Sequence, residues 1–535
     1  MYRRSVFISL ALIALSAGLA VALWEMHRAA RYHVVVLTVE SARYAAFSTE
    51  TTPNLWRAAE QGTRFTRHRA ASAWTGANIV SILTGLSAFR HGIHSRDSSI
   101  PAAWDTPLDQ LAEAGWRVAG IQPFMLIDGF RNLGLEVEPG TAMIPWLAAE
   151  ARTSRPLFLW YHYLETHLPY EPFADVATPG DAATAARMTI VQESPAIPHD
   201  SVAFSPEDIR WIEPLYRAQF KTFDTWFGEF WTFFNASGLR DRTILIVTTD
   251  HGEELLERGS VGHASTTRTG HLHDEITHVP LFVWLPPSVS PDPPRVIDAP
   301  TSHLDIMPTI LARLQRDSPM PLDGGDMFSL PEKRAWNAVT SRAGFAEPDP
   351  DRVTRFVAAR VEGDWKLHVD FETPATIIRT SLYDLSNDPG ERNDLAAAEP
   401  GRVRDMMQSL MPDIVALRIA RTNKSNTTDG TAIEPPQWIF PPSSASVSYT
   451  DLPSPLQLRW RGPENADYRM QYRAGEGALA LEGEIAVTGL THDFGPISRE
   501  YWNRYIVPYG VFRLRLGPAG QGDVWTPWLT IRVRE

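Results

Sequence analysis

The fold turns on two stretches: His33-Val34-Val35-Val36-Leu37-Thr38-Val39, which runs into Glu40, and Thr243-Ile244-Leu245-Ile246-Val247-Thr248-Thr249, which runs into Asp250-His251. Both are nearly continuous apolar, β-branched runs, the pattern of a parallel strand buried on both faces. Trp116 to Gln122, Pro156 to Leu164 and Val279 to Leu285 read as strands too. Helical stretches lie between them. Pro53 to Gln61 has helical spacing with Gly62 as its stop, and Ile209 to Gly238 is long, amphipathic and rich in aromatics. A further helix is expected from about Glu253. Strands alternating with helices predict an α/β fold with a doubly wound, mostly parallel sheet. Ligands of such sheets bind beyond the carboxyl ends of the strands.

Working outward, the chain of 535 residues is too long for one core and predicts a large catalytic domain with smaller companions. From Phe356 to Leu395 the pattern changes to short antiparallel strands, then a turn at Asn387-Asp388-Pro389-Gly390. Thr422 to Pro442 is polar, then Pro-rich, and reads as a linker. From about Ser443 to Glu535 short alternating strands predict a small, fibronectin-like β-sandwich. The division is therefore 1–32, 33–345 (catalytic), 346–421 (antiparallel α+β subdomain), 422–442 (linker) and 443–535 (sandwich).

Arg3 and Arg4 precede an uncharged, mostly apolar run from Ser5 to Trp24. Twenty helical residues span ~30 Å, enough to cross a bilayer core. The reading is a single-pass anchor in the inner membrane, with the rest of the chain extracytoplasmic or periplasmic. The alternative is a cleaved signal ending near Ala20-Val21-Ala22. The net charge of −13 and the lack of a long Lys/Arg block argue against a nucleic-acid partner. With no cysteine, disulfides, thiolate metal sites and a Cys nucleophile are excluded.

Several polar residues fall where strands end: Glu40, His167, Asp250 and His251. Thr75 lies in a loop, Ala73-Trp74-Thr75-Gly76-Ala77-Asn78, before an apolar run. These five come from separate segments that a parallel sheet brings to one edge. The surrounding motifs are Thr51-Thr52-Pro53-Asn54-Leu55, Leu83-Thr84-Gly85 with Arg90-His91-Gly92, Thr166-His167-Leu168-Pro169-Tyr170, Thr249 through Glu254, His278-Val279-Pro280-Leu281 and Asp305-Ile306-Met307-Pro308-Thr309. Taken in order from about residue 33 to 410, they resemble the sulfatase/alkaline-phosphatase superfamily. The resemblance does not cover the last ~100 residues, a length in the range of one small domain.

The departures from that pattern bear on the chemistry. Sulfatases carry a Cys or Ser, followed by Pro and Arg, and oxidise it to formylglycine. This chain has Thr75-Gly76-Ala77-Asn78-Ile79, and oxidation of threonine would give a ketone. The set Glu40, Thr75, Asp250, His251 instead resembles the phosphoglycerol and phosphoethanolamine transferases of the superfamily. The resemblance implies Glu40, Asp250 and His251 as metal ligands, Thr75 as ligand and nucleophile, and His167 and His263 as phosphate or leaving-group partners. His271 is the alternative to His263. Such a mixed O/N site suits one Zn²⁺ or Mn²⁺, with Ca²⁺ or Mg²⁺ less suited. The expected activity is metal-dependent hydrolysis or transfer at a phosphate ester, on a small-molecule, lipid or glycan substrate. Two alternatives stand beside it: sulfate-ester hydrolysis without formylglycine, and a catalytically degenerate binding protein.

Overall fold

The computed structural model describes residues 32–420, less 122–127, 131, 139–141, 154, 169, 171, 173–175, 177, 181–183, 185–202, 266–267 and 348; beyond these it describes 437–440, 446–448, 457–461, 467–474, 481–488, 491–493, 499, 510–518, 526 and 528–534. The apolar run read as a membrane anchor lies outside the described residues. Among the described residues, no helix is long and apolar enough to cross a membrane.

The β-branched runs form strands because their side chains pack well on a pleated surface. The strands are β1 (His33–Val39), β2 (Thr63–Phe65), β3 (Arg117–Ile121), β4 (Glu136–Val137), β5 (Leu157–Tyr163), β6 (Thr243–Thr249), β7 (Leu281–Trp284) and β8 (Val296–Ile297). They make one eight-stranded sheet in the order β8-β2-β7-β6-β1-β5-β3-β4. β1 is parallel to β5 on one side and to β6 on the other. β7 runs antiparallel to both β6 and β2, so the sheet is mixed, with this one strand reversed.

Alternate residues of the continuous apolar strands serve opposite faces. Val34, Val36, Ile244 and Ile246 enter one core; Val35, Leu37, Leu245 and Val247 enter the other. The first face is covered by α2 (Thr75–Thr84) and α4 (Ile306–Leu314), the second by α1 (Pro53–Ala59) and α3 (Ile209–Ala236). The aromatics of α3 are core: Phe220, Phe223, Phe227, Phe230 and Phe234 recur at helical spacing and are buried.

No helix begins at Glu253. Glu254–Leu255 pairs instead with Val261–Gly262 as a short hairpin. The Glu254 carboxylate is the reason: Oε1 accepts the backbone N–H groups of Arg258 (2.8 Å) and Ser260 (3.1 Å). Its Oε2 is bound by Arg268 (2.7 Å) and His271 (3.1 Å). Four donors on a buried carboxylate outweigh the weak helix preference of Glu253-Glu254-Leu255-Leu256-Glu257.

Beyond the catalytic sheet, β9 (Trp336–Ser341), β10 (Arg355–Glu362), β11 (Trp365–Glu372) and β12 (Thr376–Asp384) form an antiparallel sheet, followed by α5 (Pro400–Val415). A separate C-terminal region has a five-stranded and a three-stranded sheet that share a core including Trp460, Tyr468, Met470 and Leu516. Gln437–Phe440 is a strand of this region, paired with Gln457–Arg461, although it falls inside the expected linker. The flanking pairs Pro435-Pro436 and Pro441-Pro442 gave that stretch its linker-like composition.

An ionic cluster ties the antiparallel subdomain to the catalytic domain. Lys366 on β11 and Glu391 both have 0 % side-chain exposure and meet at 2.9 Å; Lys366 also reaches Asp274 at 2.6 Å. His368 and His273 donate to the other Glu391 oxygen, at 2.6 and 3.0 Å. Burial pushes the Glu391 carboxyl up, but Lys366 and His368 outweigh it and hold it well below its ordinary 4.5. Its stabilising contribution is therefore complete above pH 4.5 and is given up as the pH falls below that value. Lys366→Met leaves buried carboxylate charge uncompensated and is expected to lower the unfolding free energy by about 3 kcal/mol in urea titrations. Loss of stability in acid below pH 4.5 should be shallower in that variant than in the wild type. Arg217→Ala, at the exposed pair with Glu213, should cost less than about 0.5 kcal/mol.

Candidate metal centre and active site

Because β1 and β6 are neighbours in register, Val39 opposite Thr249, the residues that follow them emerge side by side. Glu40 and Asp250 are both fully buried there. Ser41 bridges them: its N–H donates to Asp250 Oδ1 (3.0 Å) and its hydroxyl to Glu40 Oε1 (2.8 Å). To do so it adopts φ +56°, a left-handed conformation that costs a non-glycine residue roughly 1–2 kcal/mol. Asp250 Oδ1 also accepts the N–H of His251 at 2.8 Å, whereas Asp250 Oδ2 is buried with no hydrogen-bond partner.

Thr75 is the first residue of α2, preceded by an extended Trp74. Its Oγ1 lies 3.4 Å from Glu40 Oε2 and 3.4 Å from His251 Nε2. Gly76 permits this tight entry, since a Cβ there would stand 2.4 Å from the Trp74 ring. Asn78 pins the loop from one turn ahead, accepting from Ser72 N–H (2.8 Å) and donating to Ser72 O (2.9 Å). The helix start also directs its positive end at whatever meets Thr75.

Three imidazoles complete the site. The His251 ring lies 4.1 Å from that of His263, which lies 5.4 Å from that of His167. Each has Nδ1 engaged elsewhere: His251 with Gly252 O (2.8 Å), His167 with Leu168 O, His263 with Glu253 Oε1 (2.9 Å). A carbonyl only accepts, so the first two carry hydrogen on Nδ1 and present the Nε2 lone pair. His271 instead pairs with Glu254 beside Arg268, so His263 is the histidine that joins His251 and His167.

The electrostatics show a shortage of positive charge. Burial raises Asp250, and the neighbouring Glu40 charge raises it further. Burial also opposes ionisation of Glu40, but its hydrogen bond with His162 and the nearby His167 and His251 hold its carboxyl well below the usual range. Burial pushes His263 down to about 3, with His251 adding to the effect. Burial lifts Glu253 to about 7.

Two adjacent buried carboxylates, one with an orphaned oxygen, face an imidazole lone pair and a hydroxyl. His251 Nε2 is 3.2 Å from Asp250 Oδ2 and 3.4 Å from Glu40 Oε1. That donor set fits a divalent cation of the zinc or manganese type. All six residues singled out in the sequence (Glu40, Thr75, His167, Asp250, His251 and His263) are in this one cluster. Sequence reasoning missed His162, which is hydrogen-bonded to Glu40 at 2.9 Å, and the supporting roles of Ser41, Asn78 and Glu253. A signal for His162 existed: it is a polar break in the apolar run Leu157-Phe158-Leu159-Trp160-Tyr161-His162-Tyr163.

Known proteins resemble this chain in sequence and in fold. Residues 141–315 match the Sulfatase family model, a span that contains His167, Asp250, His251 and His263 and begins after Glu40 and Thr75. The chain is similar to the uncharacterized sulfatase YidJ of Escherichia coli, with 30% identity over 158 residues, 29% of this chain and 28% of that protein. It is similar to arylsulfatase K of Xenopus laevis, with 25% identity over 288 residues, 52% of this chain and 48% of that protein. Among solved structures, the phosphonate monoester hydrolase of Silicibacter pomeroyi shares the fold with TM-score 0.57 at 17% identity, over 73% of this chain and 96% of that one. The chain thus spans between about a quarter and a half of the length of these curated relatives. Residues 141–315 thus resemble the Sulfatase family, and the described fold is the one seen in the phosphonate monoester hydrolase.

Proposed function

We propose that this chain is a metal-dependent hydrolase or transferase of phosphate esters in which Thr75 is the nucleophile. The carrying observation is the Thr75 hydroxyl 3.4 Å from both Glu40 and His251, at the start of a helix. Glu40, Thr75, Asp250 and His251 would hold a divalent cation, which would lower the pKa of the Thr75 hydroxyl and neutralise charge on the ester oxygens.

The remaining chemistry belongs to the side chains. Glu40 Oε2 is placed to take the Thr75 proton as Oγ1 attacks phosphorus and the bond to the leaving alcohol breaks. The helix start stabilises charge on the non-bridging oxygens. His167 and His263 are neutral in this geometry because they are buried without enough opposing charge. An anionic phosphate supplies that charge and draws a proton to Nε2, from which it passes to the departing oxygen. The phosphothreonine so formed is released by water or a second alcohol along the reverse path.

The apolar run at residues 5–24, read as an anchor, would hold the site beside a membrane and favours a lipid or envelope-glycan headgroup as substrate. Sulfate esters are the second reading, favoured by the similarity to arylsulfatase K. Against it stands Thr75, whose methyl-bearing β-carbon cannot become an aldehyde.

Thr75→Ala should lower turnover of an aryl phosphodiester by about 10³-fold or more while leaving the melting temperature within a few degrees, as measured by steady-state assay and calorimetry. An aryl sulfate turned over faster than the phosphodiester would reverse the substrate assignment. Removal of metal with a chelator should abolish activity, and added Zn²⁺ or Mn²⁺ should restore it; activity indifferent to chelation would sink the metal reading. Peptide mapping after brief incubation with the phosphodiester should find the phosphoryl group on Thr75.

A further inference from the structure

Three buried polar groups beneath the site, which the chemistry above does not use, form a line that ends on Glu40. Thr38 on β1 stands opposite His162 on β5 in the parallel register. Trp160, two residues before His162 on the same strand, donates its indole N–H to Thr38 Oγ1 at 2.9 Å. Thr38 Oγ1 lies 2.8 Å from His162 Nδ1, and His162 Nε2 lies 2.9 Å from Glu40 Oε2. All four side chains are at most 2 % exposed.

The chemistry of each group fixes the direction of the line. An indole N–H can only donate, so Thr38 Oγ1 accepts from Trp160. The threonine's own hydrogen has two acceptors in reach: His162 Nδ1 at 2.8 Å and Tyr161 O at 3.5 Å. The shorter bond takes it. His162 Nδ1 is then the acceptor, and the ring hydrogen sits on Nε2, aimed at Glu40. His251, on the other side of Glu40, has the opposite tautomer, with hydrogen on Nδ1 toward Gly252 O. Of the two imidazoles flanking Glu40, one offers a lone pair and the other a proton.

We propose that Trp160, Thr38 and His162 are positioning residues that fix the His162 tautomer, so that its Nε2–H holds Glu40 Oε2 in place as a metal ligand. The assignment rests on the reading of Glu40 as a ligand. It gives His162 a role distinct from metal binding, although its donor atom lies within 4.8 Å of those of Glu40 and Asp250. An Nε2 that carries hydrogen has no lone pair for a cation. Ser41 holds the other Glu40 oxygen at 2.8 Å, so the carboxylate is fixed at both ends.

The test uses the full chain and zinc alone, with affinity read by competition against a chromophoric chelator. Thr38→Val keeps the shape and removes the hydroxyl, and should weaken zinc binding by about 10–100-fold; Thr38→Ser restores the hydroxyl and should return most of it. Near-ultraviolet circular dichroism checks that both variants are folded. Nitrogen-15 shifts of labelled His162, assigned by comparison with His162→Gln, should show the hydrogen on Nε2 in the wild type and a mixture of tautomers in Thr38→Val. Equal zinc affinity in wild type and Thr38→Val, equal losses in the Val and Ser variants, or an Nδ1–H tautomer in the wild type would each overturn the relay. A second zinc equivalent lost on His162→Gln would overturn it in favour of a direct ligand. Wild-type chain that binds no zinc would instead remove the metal reading on which the role depends.

Discussion

Two carboxylates buried side by side set the terms for everything around them. Glu40 and Asp250 leave adjacent strands at the same level and are removed from water together. Left alone, such a pair is costly, and one member takes up a proton. The surroundings work against that outcome. His162 and Ser41 hold Glu40, while backbone N–H groups of Ser41 and His251 hold one oxygen of Asp250. The second Asp250 oxygen has no hydrogen-bond partner, and it faces His251 Nε2 at 3.2 Å. This grouping of buried carboxylate oxygens and imidazole nitrogen could hold a metal ion.

The fold supplies rigidity where this requires it. β1 is flanked by β5 and β6, with helices over both faces, so the strand ends carrying Glu40 and Asp250 cannot drift apart without disrupting two cores. Thr75 is held by a helix start that Asn78 and Gly76 shape. The hairpin that replaces the expected helix after Gly252 carries His263 back over the site, and Glu253 fixes its ring. The cluster of Lys366, Asp274 and Glu391 then locks the antiparallel subdomain against the loop that follows.

Much of this was legible in the chain. Continuous apolar runs ending in Glu40 and in Asp250-His251 marked two central strands, because a strand buried on both faces loses its alternation. The helical spacing of the aromatics on α3 was equally plain. The reversed direction of β7 was not, since a run of four apolar residues reads the same either way. The helix expected from Glu253 failed because the Glu254 carboxylate is claimed by Arg258, Ser260, Arg268 and His271, partners that a local reading cannot weigh. The strand at Gln437–Phe440 was hidden by the prolines on either side of it.

The sequence by itself determined the strand-and-helix alternation and the types of residue at the strand ends, because periodicity and β-branching are properties of neighbours along the chain. It also nominated Glu40, Thr75, His167, Asp250, His251 and His263 as one set. Only the tertiary structure showed that His263 rather than His271 lies beside His251 and His167, since that placement depends on which buried glutamate each imidazole meets. It alone revealed the line from Trp160 through Thr38 and His162 to Glu40, because register between strands over a hundred residues apart brings those groups within hydrogen-bond reach.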